Sequence, residues 1–377
     1  MADESEAVPG SAEYKVSKSR EANWPAVLFF IHIHLLSLYG IWLLFYEVKL
    51  MTLLLLLTSV AILGMTTGAH RLWAHQAYNA STGLRITLML FQTLAGIGSI
   101  YDWVQYHRLH HAHFATENDP YDYNRGFIYT HFLTRLRKLS PHQEKLKDAI
   151  DMSDLEKDSV VMIQKKLYWV LYAILFVLLP LNAPLEYWDD TVLSSVFVIG
   201  FLRYLIVLHA SWMIDSAICV WGLRPGEKSP PDSNAVFILT KTFWPHYHYL
   251  IPYDYKSGEY GTYGELSFCI VTGSLWEHQC TRKKLYSLNG RPLYREIFFT
   301  HNNTLWNYEC VEHSGCSTAF IRIWAALGLA TNLRTVETGT VQKALADASK
   351  AKKDLRTCID TAVRHQNLPE EHYLKRG

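Results

Sequence analysis

Histidines are the residues of this chain whose spacing could do chemistry. Two groups stand out among the 18: His70-Arg-Leu-Trp-Ala-His75 and His107-Arg-Leu-His110-His111. On a helix His107, His110 and His111 fall at i, i+3 and i+4, so their imidazoles share one face and can converge on a metal ion. His70 and His75 are five apart, about 140° away in azimuth at 3.6 residues per turn, and an ordinary helix would separate them. They are expected to meet only at a bent or fraying end. Neutral imidazole suits iron, zinc or copper, and iron beside an apolar cavity is suited to activating dioxygen. His32, His34, His113 and His131 lie outside these groups and read as hydrogen-bonded or interfacial side chains.

The elements that must position the histidines are apolar. Residues 26–46 and 51–69 carry no charge and are separated by a turn with Glu47 and Lys49. Residues 167–185 and 191–214 form a second pair, and the turn between them holds Glu186, Asp189 and Asp190 but no Lys or Arg. Runs of roughly 20 apolar residues cross a bilayer as helices, so the pattern predicts two helical hairpins and four spans. The run 86–100 is shorter and contains Gly96 and Gly98, which suits a re-entrant segment. Most Lys and Arg lie in 70–166 and 219–377, which by the positive-inside rule puts these segments and both termini in the cytosol. The expected fold is an all-α polytopic membrane bundle with a cytosolic helical cap that carries the histidines.

A net charge of +1 leaves no basic excess for nucleic acid, and none is expected as a partner. The polar first residues show no apolar core of a signal peptide. The 6 cysteines do not form a dense secreted framework and read as reduced thiols. We divide the chain into an N-terminal tail (1–23), a membrane and cap region (24–264), an inserted loop without helical period (265–315), and a C-terminal helical part (316–377). The insertion holds Cys310-x-x-His313-x-x-Cys316, with His278 and Cys280 upstream, a spacing that matches no familiar zinc finger.

Gly68 to His75, Trp103 to His111, Asp119-Pro120, Arg125-Gly126-Phe127 and Pro252-Tyr-Asp-Tyr-Lys256 together resemble the animal membrane acyl-CoA desaturases of stearoyl-CoA (delta-9) type. The resemblance covers about residues 20–264 and resumes near Ser317. It implies a mushroom-shaped protein of the endoplasmic reticulum membrane holding two irons on nine histidines. Such a protein removes two hydrogens from a saturated fatty acyl-CoA with dioxygen and electrons from cytochrome b5. Arg71 and Arg108 also belong to the family's histidine boxes.

The third box departs from the pattern. Anchoring on Pro252 to Lys256 places Pro245-His246-Tyr247-His248-Tyr249 where the family reads His-Asn-Tyr-His-His, and Asp215-Ser-Ala-Ile-Cys219 where it reads Asn-Ser-Ala-Ala-His. His70, His75, His107, His110, His111 and His248 remain. The resemblance assigns His70, His75 and His111 to one iron, whose lost ligand positions are now Tyr249 and Asp215. It assigns His107, His110 and His248 to the other, whose lost positions are now Pro245 and Cys219. Asp215, Cys219 and His246 are chemically competent substitutes, and zinc could replace iron in such a set; Cys219 reads equally well as a small buried hydrophobe. Ile97-Gly98 and Gln105-Tyr106 stand where polar pairs shape the family's CoA mouth. Ser211-Trp212 matches the Thr-Trp that bends its acyl tunnel, although packing within the bundle also accounts for Trp212. Two functions follow: an oxygen-dependent desaturase, or a weak or inactive paralogue serving as a membrane scaffold or lipid sensor. A hydroxylase sharing the metal site is more distant, because it lacks the Pro252 to Lys256 match.

Overall fold

The computed structural model describes residues 20–56, 59–222, 245–259, 298–301, 304–307 and 315–363. The first span is the helix Trp24–Leu44 (α1), apolar all round and opened by Asn23, whose side-chain oxygen accepts from the Ala26 amide at 3.4 Å. Leu28, Ile31, Leu35 and Leu38 face outward, as lipid-facing residues must. The second apolar run is covered by Leu50–Leu56 (α2), Ser59–Leu63 (α3) and a wide-turn continuation, Gly64–Ala74, with 57 and 58 outside the described residues.

Beyond it Thr82–Ala95 (α4) and Ile100–Ala112 (α5) meet at 83°, as a re-entrant or broken span does. The break is fixed at Gly96. Its φ of +72° favours glycine, and a Cβ there would lie 2.5 Å from the Phe176 ring. Arg203 is buried beside the break and donates to the carbonyls of Leu94 (3.1 Å), Phe176 (3.0 Å) and Ile199 (2.9 Å). It thereby satisfies backbone oxygens in a region without water.

The second hairpin comprises Ser159–Trp188 and Ser194–Ser216, both long and apolar enough to span a membrane. The first of these starts eight residues before the expected 167, because the Asp158 carboxylate caps the amides of Val160 (2.9 Å) and Val161 (3.3 Å). Gln164 then serves the bundle interior, accepting from the Ile100 amide at 2.9 Å and donating to Thr93 Oγ1 at 3.1 Å. The turns of the two hairpins meet on one side of the bundle: Lys49 donates to the carbonyls of Trp188 and Asp189, both at 2.6 Å, and Thr52 hydrogen-bonds Asp190. The bundle is therefore helical and polytopic, and the wide-turn helix Gly64–Ala74 carries the second apolar run into the histidine region.

On the other side lie the cap helices. Pro245–Leu250 (α6) carries the third box, and Cys316–Ala326 (α7) donates through Ser317 Oγ to Thr66 Oγ1 at 3.1 Å. Thr338–Ala351 (α8) and Leu355–Val363 (α9) follow. Val341, Ala344, Leu345 and Ala348 of α8, a stripe at helical spacing, pack with Tyr247 of the third box and with Ile251 just after it. Asn79–Ala80 pairs with Ala330–Thr331, tying the tail to the first box. Within the predicted insertion Phe298–His301 and Thr304–Asn307 pair antiparallel. Cys310, His313, His278 and Cys280 lie outside the described residues. Cys219 and Cys358 are free thiols, as expected, whereas Cys316 is disulfide-bonded.

Candidate metal centre

The bundle delivers histidines from three elements to one buried point. His70 and His75 come from the wide-turn helix Gly64–Ala74 and its C-cap, His107 and His111 from α5, the helix after the 83° break, which also carries His110, and His248 from α6. One atom from each of His70, His75, His107 and His248 lies within 4.8 Å of all the others. Nε2 of His70 is 3.0 Å from Nε2 of His248, Nε2 of His75 is 2.9 Å from Nε2 of His107, and Nε2 of His111 is 3.0 Å from Nε2 of His248. All five rings are buried.

Their outer nitrogens are held by the protein. His70 Nδ1 faces Glu259 Oε1 at 3.2 Å and His107 Nδ1 faces Asp215 Oδ1 at 3.2 Å. A carboxylate only accepts, so each Nδ1 carries the proton and each Nε2 presents a bare lone pair to the centre. His248 Nδ1 is placed by Ser257 Oγ at 3.2 Å. Burial, and then the neighbouring imidazoles, push His75 and His248 well below the usual histidine range, which keeps them neutral as metal ligation requires. Burial would raise Glu259, but Arg71 and His70 outweigh it and hold this carboxylate below its ordinary range. Converging unprotonated nitrogens with protonated outer nitrogens make a donor set that fits a transition-metal ion.

The box arginines position the scaffold. Arg71 bonds Glu259 Oε2 at 2.9 Å, Thr318 Oγ1 at 3.1 Å and the Ser257 carbonyl, joining the first box to the segment after the third. Arg108 grips Asp154 with both carboxylate oxygens at 2.8 and 2.6 Å, and donates to the carbonyls of Asp151 (2.8 Å) and Trp73 (2.9 Å).

The remaining candidates point elsewhere. His110 Nε2 meets the Tyr249 hydroxyl at 2.9 Å and its Nδ1 meets Asp119 Oδ1 at 2.8 Å. Asp215, besides holding His107, pairs with Arg135 at 2.7 Å. Cys219 Sγ lies 3.9 Å from the Tyr123 carbonyl. His246 is two residues from His248 on a helix, hence on another face, and its ring lies 6.4 Å from that of Phe114. His32 and His34 each bond a carbonyl of their own helix at 2.6 Å, and His131 bonds Ser216 Oγ at 2.8 Å, all away from the cluster.

A cavity of about 780 Å³ opens against this centre, lined among others by Phe30, Trp103, His107, Tyr204, Ser211 and Trp212. Trp103 stacks on His107 with ring centroids 4.9 Å apart and donates to Ser211 Oγ at 3.3 Å. Ile97, Gly98 and Tyr106 also line it, whereas Gln105 turns to the Lys147 carbonyl at 3.1 Å. A second cavity of about 570 Å³ shares Phe30, Tyr106, Tyr121 and Arg135 with the first and adds Arg20, Arg137 and Lys138. The sequence reading missed this basic mouth, although Arg135-Leu-Arg137-Lys138 was visible as a cationic run.

Sequence comparison assigns this architecture. The acyl-CoA Delta-9 desaturase of Acheta domesticus is 39% identical over 249 residues, covering 65% of this chain and 69% of that protein. The chain belongs to the acyl-CoA desaturase family. The acyl-CoA Delta-12 desaturase of Tribolium castaneum is 38% identical over 249 residues, 64% of this chain and 69% of the relative. Human stearoyl-CoA desaturase is 36% identical over 242 residues, 63% and 67% of the two chains. No family model matches. A desaturase is an oxidoreductase acting on fatty acyl chains at a membrane, and these relatives place the apolar spans and the buried histidines in that context.

Proposed function

We propose that this protein is an oxygen-dependent acyl-CoA desaturase of the stearoyl-CoA 9-desaturase type. It introduces a cis double bond into a saturated fatty acyl-CoA in the endoplasmic reticulum membrane, with both termini cytosolic and cytochrome b5 as electron donor. The observation that carries the reading is His107, which lines the 780 Å³ cavity through the same ring that joins the buried cluster. Iron, when bound by the imidazoles of His70, His75, His107, His111 and His248, would supply the dioxygen chemistry that removes two hydrogens. The protein's own residues do the rest. The aromatic wall around Trp212 excludes water and orients the acyl chain. Arg137 and Lys138 offer charge-assisted donors to the phosphates of CoA, while Arg20 spends its donors on the carbonyls of Pro120, Thr134, Arg137 and Lys138 and on Thr134 Oγ1 and so shapes the wall. Asp215 and Glu259 keep the protons of His107 and His70 on the outer nitrogens.

A second reading, a weak or inactive paralogue serving as scaffold or lipid sensor, is favoured by one observation: the His110 nitrogens are both engaged by protein groups. Microsomes containing the full chain, supplied with stearoyl-CoA, NADH and cytochrome b5, separate the two. Slow formation of an unsaturated product that His248→Ala abolishes supports the enzyme. Bound metal without product from any chain length supports the paralogue.

A further inference from the structure

We propose that this cluster holds one metal ion rather than a pair, and that Tyr249 withholds His110 from a second. The inference rests on the reading that the cluster binds metal, and narrows it.

A metal ligand must offer a lone pair, and His110 has none to give. Its Nδ1 faces Asp119 Oδ1 at 2.8 Å, and because the carboxylate only accepts, the proton sits on Nδ1. The lone pair is thereby left on Nε2, where the Tyr249 hydroxyl donates to it at 2.9 Å. Both groups are buried, so no solvent competes for the bond. The phenol ring is held in place as well: it stacks on Phe114 at 4.1 Å and on His111 at 5.1 Å between centroids. Breaking this contact would leave a hydroxyl without its partner in a dry interior, a penalty that metal binding would have to overcome.

Among the described residues, the donors a second ion would need are absent or committed. Pro245 has no donor atom in its side chain. Asp215 spends one oxygen on His107 Nδ1 and the other on Arg135, and so orients a ligand from behind. Cys219 lies toward the Tyr123 carbonyl, and His246 occupies a different face of its helix from His248. The other five imidazoles crowd together instead. Four of them satisfy one mutual 4.8 Å limit, and His111 joins through His248 at 3.0 Å. His75 contacts His107 and His70 contacts His248, so these nitrogens do not split into the two three-histidine sets that the resemblance implies.

The test is anaerobic titration of the detergent-purified full chain with Fe²⁺, and in parallel with Co²⁺, reading metal per chain and the electron paramagnetic resonance of the cobalt form. One ion per chain with an isolated high-spin Co²⁺ signal is expected. His110→Asn, which keeps a polar group against Asp119, should leave that endpoint at one, whereas His248→Ala should lose it. Two ions per chain, or an exchange-coupled cobalt signal, would overturn the inference while leaving the desaturase reading intact. An endpoint of zero would overturn both. A folded His110→Asn protein that had lost its ion would make His110 a ligand and refute the role given to Tyr249.

Discussion

The backbone N–H of His75 donates to the carbonyl of His70 at 3.1 Å, an i→i+5 bond that closes the wide-turn helix Gly64–Ala74. Such π-type turns cluster at functional sites because they re-aim side chains. Here the wider turn brings residues five apart onto one side: the two imidazole centroids are 4.9 Å apart. The His-x-x-x-x-His spacing that an ordinary α-helix cannot use is therefore matched to the helix that carries it.

Gly96→Ala should be strongly destabilising. Its φ of +72° is a conformation that L residues adopt at a cost, and the new methyl would meet the Phe176 ring at 2.5 Å. Together these should cost roughly 2–4 kcal/mol. Thermal unfolding in detergent checks it. Adding Phe176→Leu should recover only part of the loss, because the second change relieves the clash and not the backbone. A variant as stable as the parent would show that the 83° break is not fixed at this glycine.

The pair Arg108 and Asp154 anchors the second box and has a defined pH signature. Burial alone would raise the Asp154 carboxyl, but its bonds to Arg108 hold it below the ordinary carboxylate range. A carboxyl with a depressed folded pKa stabilises the protein above its unfolded pKa of about 4, and that contribution fades as pH falls toward the folded value. Asp154→Asn should thus lower the melting temperature at pH 7 and narrow the gap to the parent as pH falls below about 4. Arg108→Lys, which loses the two-pronged grip, should resemble it in magnitude. A gap that stayed constant with pH would remove the ion pair from the account.

Much of this arrangement was legible in the residues. Charge-free runs gave the hairpins because a bilayer imposes length and composition together, and the i, i+3, i+4 spacing gave the face shared by His107, His110 and His111. What escaped was set by tertiary contacts. Glu259 lies 189 residues from His70 and its pairing has no local signal. Asp215 is a competent ligand by its chemistry, but it turns onto the outer nitrogen of His107 because Arg135 holds its other oxygen. The commitment of His110 to Tyr249 needed the position of α6 relative to α5, which no spacing within either helix encodes.

The last prediction concerns restoring the missing imidazoles. In Cys219→His, Pro245→His, Tyr249→His, the third change removes the phenol that donates to His110 Nε2 and puts a ring nitrogen within reach of the same neighbourhood. The first two return donors to positions where the family carries histidine. The Fe²⁺ endpoint should rise from one toward two per chain, and the single change Tyr249→His should raise it less, since one new imidazole with His110 makes a weak site. Pro245 is the first residue of the helix Pro245–Leu250, where its fixed φ suits the first turn, so its loss should cost a little stability without unwinding the helix. Metal analysis and melting of the purified triple variant check both statements together. A folded triple variant that still stopped at one ion would mean that Tyr249 does not stand between His110 and a second metal, and that the third box is misaligned with its family counterpart.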